Sequence, residues 1–125
     1  MPKASGRTYT FGAYLVLTNV GTSYDTIAPA KGLGIALVDF SQTNTIYFQV
    51  FVNKIGTGTQ SWQLYNVTDA AEIGVINDAG TTGDKVLSAT ITTGIPSGEK
   101  LVRIRAKSTT AGDDPVYYSG TIRCC

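Results

Sequence analysis

The chain has 125 residues, of which 42% are hydrophobic and 15% charged, a composition that fits one folded domain and excludes a disordered polymer. Ten Lys and Arg against nine Asp and Glu leave a net charge of +1, which gives no overall electrostatic case for nucleic acid or an anionic membrane. Histidine is absent, which removes the commonest general base, metal ligand and near-neutral pH switch, and the only cysteines are Cys124 and Cys125, so no internal disulfide framework is expected.

No apolar run approaches the ~20 residues that a membrane-spanning helix needs. The opening Met1-Pro2-Lys3-Ala4-Ser5-Gly6-Arg7 lacks the apolar stretch of a secretory signal. Residues 1–8 are expected to form an N-terminal arm, and residues 9–125 a single domain that closes in a Cys-Cys tail.

From Tyr9 to Asn19, Tyr9, Phe11, Ala13, Leu15 and Leu17 alternate with Thr10, Tyr14, Val16 and Thr18 and predict a first strand. Gly21 to Gly32 reads as a loop, and Gly34 to Phe40 as a second, mostly apolar strand. Thr45 to Val52 is the strongest strand candidate, rich in the β-branched and aromatic residues that pleated surfaces favour. Ile46, Phe48, Val50 and Val52 make one face. Tyr47, Gln49 and Phe51 make a second face that is too apolar to lie fully in water.

Gly56 to Thr59 breaks the pattern, and Ser61 to Asn66 resumes it with Trp62 and Leu64 in phase. Asn66-Val67-Thr68-Asp69 opens a turn, since Asn and Asp side chains bond to nearby backbone. Glu72 to Asn77 is a weaker strand, and Asp78 to Asp84 a flexible-looking loop. Val86 to Thr92 alternates cleanly, and Gly94 to Gly98 turns around Pro96. Leu101 to Ser108 is two-faced, with Val102, Ile104 and Ala106 opposite Arg103, Arg105 and Lys107. After a loop that Pro115 closes, Val116 to Cys124 is the last strand. About eight short strands without a helical stripe predict an all-β, two-sheet antiparallel β-sandwich of the jelly-roll kind. The immunoglobulin alternative lacks its buried Cys–Trp–Cys arrangement.

Chemistry-bearing groups are sparse. A glycosidase pair can be drawn from Asp69, Glu72 and Asp113, but no spacing singles it out. Asp113-Asp114 or the Asp78–Asp84 loop offers oxygen ligands for Ca²⁺ without the alternating acids of an EF-hand, and reads as solvated turn. Asn66-Val67-Thr68 matches a glycosylation acceptor and also reads as a turn. Trp62, with Tyr47, Tyr65, Tyr117 and Tyr118, is either a sugar-stacking platform or core; its phase with Leu64 favours core. No catalytic residue, cofactor or metal is expected.

The row of Arg103, Arg105 and Lys107 is the sharpest local signal. Three like charges on one strand face repel unless acids oppose them, so the row is either a solvated face with cross-strand pairs or a contact for an acidic protein surface. Arg123 is grouped with it as a candidate partner contact. Adjacent cysteines close on each other only through a strained ring. Cys124 or Cys125 is therefore expected to bridge to another chain; inert thiols and a zinc site shared with neighbours are the alternatives.

From Trp62 to Gly120, the aromatic strand ending in Asn-Val-Thr-Asp, the Gly-bounded hairpin and the Leu-x-Arg-x-Arg-Ala-Lys strand resemble a module of virion proteins of tailed bacteriophages. The likeness covers about half the chain and rests on turn and strand signatures. It implies a jelly roll serving as a capsid decoration, fibre or tail-adaptor piece. The expected function is thus a non-enzymatic capsid decoration (cementing) subunit, made in the host cytoplasm and carried on the virion. Its partners would be the major capsid protein or neighbouring subunits, in a homo-oligomer such as a trimer. The alternative is a receptor- or glycan-binding module of a fibre or tail.

Overall fold

A computed structural model describes residues 6–11, 15–16, 35–110 and 115–125. Nine strands run through them: β1 (Arg7–Phe11), β2 (Leu15–Val16), β3 (Ile35–Asp39), β4 (Ile46–Lys54), β5 (Gln60–Asn66), β6 (Ala71–Asp78), β7 (Gly83–Ile91), β8 (Glu99–Ser108) and β9 (Val116–Cys124). All pairings are antiparallel. The expected loop from Gly21 to Gly32, residues 12–14 and 17–19 of the first expected strand, and Asp113-Asp114 lie outside the described residues.

Sheet A has the order β1-β9-β4-β7, with β2 also on β9; sheet B has the order β3-β8-β5-β6. β1 meets β9 from Cys124 to Gly120 and β2 meets it at Tyr117 and Val116, so the two lie in succession along one edge. Counted as one strand, they leave eight, and the sheets then run 1-8-3-6 and 2-7-4-5. That is the strand order of a jelly roll, and the chain is an all-β, two-sheet antiparallel sandwich.

Period-two alternation places the core between the sheets. On β4, Ile46, Phe48, Val50 and Val52 are fully buried, as the sequence pattern requires, and Tyr47 and Phe51 are 47% and 42% exposed. The second face of β4 is thus half-open to water, with Phe51 leaning on Tyr118 at 4.8 Å between ring centroids. On β8, Val102, Ile104 and Ala106 point inward. Trp62 is completely buried, 6.0 Å from the Tyr117 ring, which makes it a core residue. Burying a large aliphatic side chain of this core contributes about 1.5–3 kcal/mol.

The strand ends are tied across the sandwich. Arg7, expected in the arm, instead begins β1; its Nη2 donates to the carbonyls of Asp39 (3.0 Å) and Ser41 (2.6 Å), joining sheet A to sheet B. Asp78 is buried and paired with Lys85 at 3.1 Å, and it also accepts from the Gly80 amide. The expected Asp78–Asp84 loop therefore shrinks to the residues between β6 and β7, because Asp78 is held inside. The Asn66–Asp69 turn forms as predicted: Asn66 Oδ1 accepts from the Asp69 amide at 3.1 Å, and Asn66 Nδ2 donates to the Asp69 carboxylate at 2.9 Å. With its amide so engaged and 2% exposed, Asn66 is a structural turn residue.

Candidate functional site

The outer face of sheet B carries the basic row. Register places Leu37 opposite Leu101 and Ile35 opposite Arg103, and the next strand sets Tyr65 beside Arg103, Gln63 beside Arg105 and Ser61 beside Lys107. Arg103, Arg105 and Lys107 are each half-buried, so the row is embedded in the sheet surface and not simply solvated. Arg105 Nε donates to Gln63 Oε1 at 2.8 Å, and Gln63 Nε2 donates onward to Glu72 Oε1 at 3.0 Å. The Arg105 guanidinium also sits 3.7 Å from the Tyr65 ring centroid, a cation–π contact. Cross-strand partners thus fix the direction of Arg105 within the sheet.

Beside this row the β3 edge exposes Ile35 (53%) and Leu37 (57%), joined by Leu101 from β8. Three aliphatic side chains adjoining a cationic row form a surface that is apolar on one side and positive on the other. The basic row was legible from alternation on one strand. The aliphatic neighbours were not, because their adjacency depends on β3 pairing with β8, more than sixty residues away in sequence.

Arg123 does not belong to this surface. It lies on β9 in sheet A, opposite Thr8 on one side and Tyr47 on the other. The separation follows from topology, since β8 and β9 are consecutive but belong to different sheets.

The cysteines also divide. Cys124 faces the core and is 3% exposed, with burial pushing its thiol above the usual range. Cys125 is half-buried, and its backbone is tied to the start of β4: its amide donates to the Thr45 carbonyl at 2.9 Å, and its carbonyl accepts from Asn44 and Thr45. Both thiols are free within the chain. Alternation along β9 is the reason that only one of two adjacent side chains points outward.

Three further carboxylates among the described residues serve structure. Asp69 pairs with Lys100 at 3.0 Å, Glu72 accepts from Gln63, and Asp84 accepts from Asn53 (2.6 Å) and the Tyr118 hydroxyl (2.8 Å). No group of three Cys, Asp or Glu among the described residues is placed to hold a metal ion.

Two sheets in this order define the class of the protein, a jelly-roll module. Solved structures share the fold. A TNF protein, Eiger, of S. frugiperda superposes with a TM-score of 0.57 and 13% identity, covering 95% of this chain and 91% of that one. A carbohydrate-binding module (CBM36-1) of a xylanase from the hindgut metagenome of Trinervitermes trinervoides gives 0.55 at 10% identity, covering 94% and 96%. The VP2 chain of the infectious bursal disease virus subviral particle gives 0.54 at 15% identity, covering 97% of this chain but 32% of VP2. The jelly roll is therefore common to this chain, viral capsid proteins and carbohydrate-binding modules. No family model and no curated protein matches the chain.

Proposed function

We propose that the chain is a non-enzymatic structural subunit of a virus particle, a capsid decoration protein of the tailed-phage type, that docks on an acidic, partly apolar surface of a neighbouring virion protein. The observation that carries this reading is the register of sheet B, which sets exposed Ile35, Leu37 and Leu101 against the Arg103–Arg105–Lys107 row. Interfaces characteristically combine desolvated apolar centres with Arg, and a carboxylate-bearing partner complements the row. The jelly roll shared with a viral capsid chain agrees with this reading. So do the absence of histidine and the structural use of Asp78 and Asp69. On the particle the subunits form a homo-oligomer, and any bridge between chains uses Cys125, because Cys124 is enclosed.

The test is rebinding. Particles assembled without the protein should lose resistance to heat or osmotic shock and regain it when the purified chain is added back. Leu37→Glu places a like charge toward an acidic partner and should abolish rebinding while leaving the melting temperature of the free chain unchanged. Particles equally stable without the protein, or undiminished rebinding by Leu37→Glu, would refute the assignment.

A further inference from the structure

The opposite outer face, on sheet A, holds a cleft of about 360 Å³, within the usual range of roughly 300–1,000 Å³ for small-molecule sites. Two adjacent registers build it. One runs across four strands as Thr8, Arg123, Tyr47 and Thr90; the next contributes Thr121, Gln49 and Ser88. Phe48 and Ala89, whose side chains pack in the core, complete the floor.

The chemistry of this lining is selective. Tyr47 offers an aromatic surface that is 47% exposed. Around it stand four hydroxyls and the Gln49 amide, each able both to donate and to accept, which is what a rim of sugar hydroxyls demands. A pyranose is the small molecule that matches both features at once: its C–H face lies on an aromatic ring, and its hydroxyls point outward in the ring plane. Among the described residues that line the cleft, Arg123 is the charged one. A guanidinium is donor-only and matches a planar or tetrahedral oxyanion.

We propose that this cleft binds a pyranose saccharide carrying a carboxylate or sulfate group, with the sugar ring on Tyr47, its hydroxyls on Gln49 and the threonines, and the anionic group on Arg123. The site is independent of the docking surface on sheet B, which faces the other way, so both can be occupied together.

Saturation-transfer NMR on the full chain with three probes, lactose, 3′-sialyllactose and a sulfated heparin disaccharide, tests this. At least one acidic probe should bind, and lactose should bind about tenfold more weakly, the worth of one charge-assisted hydrogen bond. Binding of 3′-sialyllactose shows that a carboxylate suffices, and binding of the heparin disaccharide alone points to sulfate, since that probe carries both groups. Tyr47→Ala and, as a second variant with less loss of surface, Gln49→Ala should each reduce binding by at least about tenfold, and Arg123→Gln should bring the acidic probe to the level of lactose. Leu37→Glu on sheet B should leave saccharide binding unchanged, so failure of the docking proposal is distinguished from failure of this one. Absence of transfer from both acidic probes, equal affinity for lactose, or unchanged binding by Tyr47→Ala and Arg123→Gln in folded protein overturns the assignment.

Discussion

At the scale of single residues, inward and outward placement decides behaviour. Cys124 and Cys125 are chemically identical and adjacent, yet only Cys124 is enclosed, with its thiol pushed up by burial. Since the thiolate is the reactive form, iodoacetamide should label Cys125 in the folded chain and reach Cys124 only after denaturation. Peptide mass mapping reads this directly. Cys125→Ser should likewise remove any intersubunit crosslink on a non-reducing gel, and Cys124→Ser should not. Gly120 makes a different point. A methyl group there would run into the Ile104 side chain and the Tyr117 hydroxyl, which donates to the Phe11 carbonyl in the core. Gly120→Ala should cost about 1–3 kcal/mol in urea denaturation, the usual penalty of over-packing. Its role was invisible in the sequence, where it looked like one more small residue in the last strand.

At the scale of elements, the connection from β6 to β7 is the instructive case. The string from Asp78 to Asp84 has the composition of a mobile loop, and composition alone predicts one. Asp78, however, is drawn inside by Lys85, with side chains 3% and 19% exposed, so strand continues to within a few residues of the crossing between sheets. Asp78→Ala leaves Lys85 facing this partly buried site without its partner and should destabilise by about 3 kcal/mol, the low end for breaking a buried pair. The cost should appear in the chemical denaturation midpoint with an unchanged m-value. The basic row on β8 teaches the reverse lesson. Its alternation was plain in the sequence, but Arg105 owes its orientation to Gln63 and Tyr65 on β5, forty residues away.

At the scale of the whole molecule, pH stability follows from groups spread over both sheets. Asp39, Asp69 and Asp84 are held below 3.8: Asp39 chiefly by hydrogen bonds from Ser41, Asp69 by Lys100 and then Asn66, and Asp84 by Asn53 and then Tyr118. The unfolded chain binds more protons there, so this stabilisation is present above pH 3.8 and lost as pH falls through the lower folded values. Burial pushes Tyr117 above 10.0 and Cys124 above 9.0, so their contributions are complete below those values and lost as pH rises beyond them. The melting temperature should be level from about pH 5 to about pH 8.5 and fall on both sides. Tyr117→Phe should leave the onset of the alkaline decline, set by Cys124, in place and make the decline shallower. A decline that begins at pH 7 would show that another group controls stability.

What the sequence determined by itself was local and periodic. Alternation in β4, β7 and β8 sorted their residues into two faces, the phase of Trp62 with Leu64 placed it in the core, and Asn66 and Asp69 marked their turn through bonds spanning only three residues. Only the tertiary structure decided which strands became neighbours. Consecutive strands β8 and β9 went to different sheets, which parted Arg123 from Arg103, Arg105 and Lys107 and set it beside Tyr47. Both candidate sites are cross-strand rows, built from residues far apart in the chain. Period-two patterns fix which way a side chain points, but not which strand lies next to it, because that choice is made by packing two sheets around one core.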